Sequence, residues 1–415
     1  MGRCFGGRLF AVAVVSTALL APATARGDGL SAVSQAGVVA VGYAAPLGSQ
    51  VNFRERMGNR SKVLGAATVT ATTKPPTAVL LEAVRWRCDR VVRRFEATAT
   101  APDGSSSQDS YDVRTPSCAN RLKLSVPRRV ARGARVRVSV QDGWKNGGVK
   151  PRLCIIPPRG RRSCRVLAFP RAVDVAGRHF RASKRGLWRV ELRLSGHRVR
   201  AAVAVGGAHY RPRAPLPTLL ATGDSTMQGL DSALADRLAD RANVRSDLHA
   251  GTGVSRGVEW LTRAAAQTKK YRPRTTVISV GDWAQAMQTP DGATRECCDE
   301  LWAEEYRRRV RVMMKTYIRG GKARVLWMAI PIARHPELAA VSRVVNAAVL
   351  RAAEGLSGAR IVRIDSIFTP NGYREYMPYR GRTVRVRQSD GAHLTAVGLA
   401  IAAEAVDKAM REAPH

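Results

Sequence analysis

Apolar positions change rhythm near the middle of the chain. From about residue 27 to residue 207 they come in short alternating runs, among them Gly37-Val38-Val39-Ala40-Val41, Leu122-Lys123-Leu124-Ser125-Val126 and Trp188-Arg189-Val190-Glu191-Leu192. Turn-forming clusters such as Pro102-Asp103-Gly104-Ser105 and Asn146-Gly147-Gly148 separate them. Short strands at this spacing predict β-sandwich modules. The length accommodates two, residues 27–119 and 120–209, with a seam near Asn120. Nothing in this half forms a catalytic constellation, so it is assigned to binding or spacing. Pro212, Pro215 and Pro217 then mark a semi-rigid linker over 210–217.

Beyond the linker the texture becomes alternating strands and helices. Strands are predicted at Leu219-Leu220-Ala221-Thr222, leading into Leu248-His249-Ala250, at Thr276 to Val280, at Arg324 to Met328 and at Ile361 to Ile364. A helical stretch runs from Gly229 to Arg241. In a second helix Trp302, Tyr306, Val310, Met313 and Tyr317 recur every three or four residues on one face. Asp299 is placed to cap its start and Gly320-Gly321 to end it. Such alternation predicts a parallel sheet with right-handed crossovers, covered by helices on both faces. Ligands of these sheets sit at the carboxyl ends of the strands. Ser225, His249, Gly251, Asp282 and Arg334 all follow strand ends, and so are expected along one edge.

Export changes how the cysteines are read. Arg3 and Arg8 precede an apolar stretch from Leu9 to about Ala21, and Ala23-Thr24-Ala25 offers a cleavage site, so residues 1–25 read as a signal peptide. Cys4 lies ahead of the apolar stretch, which argues against a lipid anchor. No later segment has the apolar length of a transmembrane helix, and the protein is expected to be secreted or held at the cell surface. Six cysteines then remain in an oxidising compartment. Proximity favours pairing Cys88 with Cys118 and Cys154 with Cys164, while adjacent Cys297 and Cys298 leave a vicinal bridge open. Their spacing does not fit a metal site.

The formal charge of the 415 residues is +37, with pI near 11.3. A balance of this kind bears on association rather than fold and predicts weak affinity for polyanions, cell-wall polymers included. Arginines are spread through every region, and no zinc finger, recognition helix or aromatic-interleaved basic stripe points to specific nucleic acid binding.

The chemistry lies in two distant segments. Gly223-Asp224-Ser225 ends the first strand of the second half, and Asp390-Gly391-Ala392-His393 precedes the last helix. A serine hydroxyl becomes a nucleophile when a base removes its proton, and histidine is the commonest base near neutral pH. An aspartate beside the histidine fixes its tautomer and stabilises the imidazolium. Asp224 is read as capping the turn rather than touching substrate.

With a glycine turn Gly251-Thr252-Gly253 after the second strand, residues 218–412 resemble an SGNH (GDSL-type) hydrolase domain. The resemblance implies a three-layer α/β/α, flavodoxin-like fold and hydrolysis or transfer of acyl esters without a cofactor. It assigns Ser225 as nucleophile, His393 as base and acid, and Asp390 as its orienting partner. The implied oxyanion hole comprises the amide of Ser225, the amide of Gly251 or Gly253, and a side chain after the third strand. The family has asparagine at this last place. Aligning on Gly281 puts Trp283 there; aligning on the strand and Met287 puts Asp282 there, and the near-isosteric aspartate is preferred. Losing an oxyanion donor costs about 10²–10³ in rate. An ionised carboxylate there adds a repulsion of roughly 4 kcal/mol at about 4 Å in an effective dielectric of about 20. A protonated Asp282 would still donate, so activity is expected to rise toward pH ~5 and in Asp282→Asn. His249, Trp283 and Arg334 are candidate substrate contacts.

These readings combine into a secreted esterase that removes, or transfers, O-acyl and specifically O-acetyl groups on an extracellular polysaccharide. The alternative is a catalytically weak or inactive SGNH-fold protein that binds such a polysaccharide.

Overall fold

The computed structural model of the protein describes residues 29–412 except 36–37, 58, 71–76, 84–85, 87–91, 119–120, 144–149, 170–174, 196, 209–215, 257–258 and 283–285. The expected leader, the seam at Asn120, the turn at Asn146-Gly147-Gly148, most of the linker and Cys88 lie outside the described residues.

Alternating apolar residues in the first half build two-sheet modules. In module one, strands β1 (Gly29–Gln35), β2 (Val38–Ala44), β3 (Gln50–Met57), β4 (Arg60–Thr68), β5 (Thr77–Ala83), β6 (Val92–Thr100) and β7 (Ser106–Arg114) form sheets β1-β2-β5 and β4-β3-β6-β7. Every second residue of β6 faces inward, so Phe95, Ala97 and Ala99 meet Leu30, Val41 and Phe53 in one core. β7 forms one edge of its sheet.

Module two contains β8 (Leu122–Ser125), β9 (Arg129–Val130), β10 (Arg135–Asp142), β11 (Arg152–Ile156), β12 (Ser163–Val166), β13 (Val175–Arg181), β14 (Gly186–Leu194) and β15 (His197–Val205). They pair as β13-β10-β8 and β12-β11-β14-β15-β9. β10 buries Val136, Val138 and Val140 and turns its arginines out. Cys154 and Cys164 are cross-strand partners on β11 and β12 and form the expected disulfide. Cys118 is also disulfide-bonded. A buried ion pair stands at the junction of the modules: Arg121 grips Asp142 through two bonds of 2.9 and 2.8 Å and also reaches the carbonyl of Trp86.

The C-terminal domain has three layers. Its elements are β16 (Thr218–Gly223), α1 (Leu230–Arg237), β17 (Asn243–Leu248), α2 (Glu259–Tyr271), β18 (Thr275–Ser279), the hairpin β19 (Met287–Gln288) and β20 (Thr294–Arg295), α3 (Glu300–Ile318), β21 (Arg324–Met328), α4 (Pro336–Ala353), β22 (Ala359–Val362), α5 (Ile364–Phe368), the hairpin β23 (Tyr376–Tyr379) and β24 (Arg382–Arg385), and α6 (Ala396–Glu412). The central sheet is parallel throughout, in the order β17-β16-β18-β21-β22. That is the flavodoxin-like 2-1-3-4-5 order, whose direction reverses between its first and third strands. Apolar residues of α1 and α6 pack one face with Leu219, Leu326 and Phe368. Trp260, Trp302, Tyr306 and Val345 from α2, α3 and α4 fill the other. Asp299 caps α3 by accepting from the Trp302 amide at 2.7 Å. Cys297 and Cys298, just ahead of it, are bonded to each other.

Among the boundaries that differ from the sequence expectation, three have a clear local cause. α1 ends at Arg237, and Leu238 to Ala242 close it as turns in which Leu238 O accepts the amides of both Arg241 and Ala242. α3 closes on Arg319 in a left-handed conformation (φ 54°) rather than on the glycines that follow. β22 stops at Val362, because the amide of Asp365 turns back to the carbonyl of Ala329 and starts α5.

Candidate active site

Ser225 stands just past the carboxyl end of β16, at the point where the strand order reverses. β16 and β18 approach closely there: a Cβ on Gly223 would sit 1.8 Å from the carbonyl oxygen of Ser279, so only glycine fits. The chain then turns into a short 3-10 segment, Ser225–Met227, capped by Asp224, which accepts from the amide of Thr226 at 2.8 Å and its hydroxyl at 2.7 Å. The other Asp224 oxygen accepts from the amide of Gly281 at 2.6 Å. Asp224 thus joins the serine turn to the loop after β18, in keeping with the capping role read from sequence.

A tight loop ahead of α6 brings the second segment to the serine. The Gln388 amide donates to His393 O at 2.8 Å, and the Gly391 amide donates to Gln388 O at 3.0 Å. Asp390 Oδ1 accepts from the amides of Ala392 and His393, both at 2.9 Å. Its Oδ2 lies 2.7 Å from His393 Nδ1, and His393 Nε2 lies 2.9 Å from Ser225 Oγ. Burial would raise the Asp390 carboxyl, but the charge and hydrogen bonds of His393 and the two amides outweigh it and hold it below the ordinary value. Burial opposes an imidazolium at His393, yet Asp390 raises it above the ordinary value, with Asp224 helping and Arg387 opposing. An ionised Asp390 assigns the proton to Nδ1, which leaves Nε2 to accept from the serine hydroxyl. The His393 side chain is 13 % exposed and Ser225 is 7 % exposed, so both lie largely beneath the surface.

After β17 and β18, the glycine turn and Asp282 form one unit. Asp282 has a left-handed backbone (φ 48°), a conformation aspartate tolerates, and is buried. Both its carboxyl oxygens accept from Ser255, one from the amide at 2.9 Å and one from the hydroxyl. A Cβ on Gly253 would lie 2.1 Å from Asp282 Oδ1, so glycine at 253 makes room for the carboxyl. Burial pushes Asp282 up to about 6; Asp224 adds to the shift, and Ser255 and the Tyr306 hydroxyl oppose it. Gly251 takes the positive φ of the turn (74°).

The three candidate substrate contacts have separate fates. Both ring nitrogens of His249 are engaged, Nε2 by Asp247 at 2.8 Å and Nδ1 by Arg263. Arg334 lies along the 388–393 loop, donating to Ser389 O from its guanidinium while its backbone amide donates to Gly391 O at 3.1 Å. Trp283 lies outside the described residues. Among the described residues, no group of three or more His, Cys, Asp or Glu is arranged to hold a metal ion. No helix among them is long and apolar enough to cross a membrane.

Several residues around the site carried no signal in the sequence. Arg387 is wholly buried beside the 388–393 loop, donates to Ile332 O and Gly391 O at 3.1 and 3.0 Å, and lies over the Tyr373 ring. Burial lowers it to about 10. Gln388 and Ser389 bind backbone of module one, and Ser255 anchors Asp282. Sequence offered one clue, the polar run Arg387-Gln388-Ser389 directly ahead of Asp390.

No curated protein matches the chain. A tetra-tandem repeat from the extending region of a large adhesion protein is similar at 15 % identity and TM-score 0.26, over 43 % of this chain and 48 % of that one. The chain thus spans about half the length of that structure. A family two carbohydrate esterase from Cellvibrio japonicus is similar at 13 % identity and TM-score 0.31, over 70 % and 95 %. At those scores neither likeness bears on fold or activity. The C-terminal domain, residues 218–409, matches the family model described as "Protein of unknown function (DUF459)", an SGNH-like family.

Proposed function

We propose that the C-terminal domain is a serine hydrolase of the SGNH type, acting on O-acyl and specifically O-acetyl esters of an extracellular polysaccharide. One observation carries the reading: the continuous relay from Asp390 through His393 to Ser225, with links of 2.7 and 2.9 Å. In this reaction Ser225 Oγ attacks the acyl carbonyl as its proton passes to His393 Nε2. The tetrahedral intermediate collapses, the sugar oxygen leaves with that proton, and the acyl group stays on Ser225. Water, or another sugar hydroxyl, then repeats the sequence in reverse. Asp390 stabilises the imidazolium in both halves.

The oxyanion is assigned to the backbone amide of Ser225 and an amide of the 251–253 turn. Asp282 faces Ser255 with both oxygens and serves in this reading to set the glycine turn, in place of a donor. A hole without the third donor is weaker by about 10²–10³ in rate, which predicts a slow enzyme. The polysaccharide is argued from the charge of +37 and the two appended β modules.

The test is covalent labelling by a fluorophosphonate. Labelling at Ser225 that disappears in Ser225→Ala, together with acetate release from an O-acetylated polysaccharide, supports the reading. Absence of both in folded protein contradicts it and favours a polysaccharide-binding protein on the same scaffold.

A further inference from the structure

We propose that module one is part of the mounting of the acid–base pair: the outer side of β7, with β1, fixes the loop that presents Asp390 and His393, and Gln388 is the positioning residue through which it acts. The inference rests on the hydrolase reading above and deepens it, because it gives a role at the site to a module that carries no catalytic side chain.

Among the described residues β7 is the last strand of its sheet, with β1 beside it, so the backbone groups on its outer side face away from β6. Two of its residues, Ser110 and Asp112, are an alternate pair pointing the same way, and the acid–base loop meets both. The Gln388 side-chain amide donates to Asp112 O at 2.8 Å and accepts from the Asp112 amide at 3.3 Å. One side chain thereby makes the pair of bonds a neighbouring strand would make. Ser389 Oγ reaches Ser110 O and Leu30 O, each at 3.4 Å. Gln388 is 3 % exposed, so losing these bonds would strand buried donors and acceptors on both sides. Next to them is the buried Tyr111, whose phenol is kept un-ionised by burial and then by the charges of Asp390 and Asp112.

The coupling to the reacting groups is short. Gln388 contributes its own amide to His393 O and its carbonyl to the Gly391 amide. A shift of Gln388 is therefore a shift of the turn that carries Asp390 and His393. On the serine side, Gln228 Nε2 reaches Ala32 O at 3.4 Å. β1 thus touches both catalytic segments, and module one spans them.

The experiment compares the full chain with Gln388→Met and Ser389→Ala, measuring the rate of fluorophosphonate labelling at Ser225 from about pH 5 to about pH 9, with thermal unfolding alongside. Misplacing a catalytic group by an ångström costs on the order of 10² in rate. Gln388→Met is expected to label 10- to 100-fold more slowly, to about that limit. Its pH midpoint is expected to fall, because a loosened Asp390 no longer raises His393, while Asp224 and Arg387 still face the imidazole and Tyr111 and Tyr373 still face Asp390. Ser389→Ala is expected to move both readouts the same way by less, and it decides the matter if Gln388→Met does not fold. Unchanged rate and midpoint in folded variants, beside a wild type that labels, overturn the inference. If wild type does not label, the hydrolase reading fails and hydrogen exchange decides: faster exchange of the 389–393 amides in the variants supports the mounting, and unchanged exchange overturns it.

Discussion

The two β modules share an architecture and differ in what their edges meet. Module one places β7 and β1 against the segments that carry His393 and Ser225, and meets Gln388 and Ser389 along the outer side of β7. Module two keeps the edge strand β13 charged, with Arg181 exposed at its end and the half-buried Arg178 donating to Ser163 of β12, a device that blunts pairing. It reaches the C-terminal domain through His197, 3.9 Å from Asp236, and grips module one through Arg121. Two similar sandwiches can thus serve unlike ends, and the covered edge distinguishes them. The serine's surroundings repeat the contrast: the 388–393 loop leans on a separate module, while Asp282, packed against Gly253, is held by Ser255 from within its own domain.

The sharpest way to break this comparison is to loosen the junction between modules. Arg121→Met removes the guanidinium that grips the buried Asp142 carboxylate through two bonds, and breaking a buried ion pair from one side costs about 3–5 kcal/mol. A marked drop in urea midpoint is expected, with Ser225 reactivity of the folded fraction unchanged. A parallel fall in reactivity would show that module two is not remote from the site. Next comes module two alone. Replacing Cys154 and Cys164 together by serine opens a loop with a sequence separation of 10 and is expected to cost about 3 kcal/mol, again without effect on labelling.

Asp282→Asn sharpens the other side of the contrast. Asp282 binds its proton more tightly folded (about 6) than at the ordinary 3.8, so the folded state takes up a proton as pH falls. Its contribution is full below about pH 3.8 and is lost as pH climbs to about 6, a change of about 3 kcal/mol. Asp224 is raised by burial and acts with the same sign. Chemical denaturation at several pH values is expected to show this slope in wild type and a flatter profile in the variant. An unchanged slope would place the shift elsewhere.

Much of this was legible from residue patterns. Period-two runs in the first half became paired sheets, and alternating strands and helices became the parallel sheet, because burying one face of each element leaves few other arrangements. Ser225, Asp390 and His393 were legible because a strand end, a glycine and a D-x-x-H spacing are local signals. Asp282 was found by position, but its orientation toward Ser255 depends on a left-handed backbone that sequence does not specify. Gln388 was legible only as one member of a polar run ahead of Asp390, with nothing to single it out. A buried glutamine matters here because of a strand edge 276 residues away, and nothing local encodes that distance. Arg334 and His249 follow strand ends as read, yet both are committed to partners within the chain.

The claim that an ionised carboxylate, an imidazole and an alcohol act as one unit is tested most directly by trapping the acyl-enzyme. The protein is mixed with an activated acetate ester, quenched in acid within the first turnover and examined by peptide mass spectrometry. The account predicts an acetyl group on the peptide bearing Ser225, absent in Ser225→Ala and formed on the order of 10⁴-fold more slowly in His393→Ala. No acetyl on Ser225, or the same rate of acetylation without His393, would contradict it.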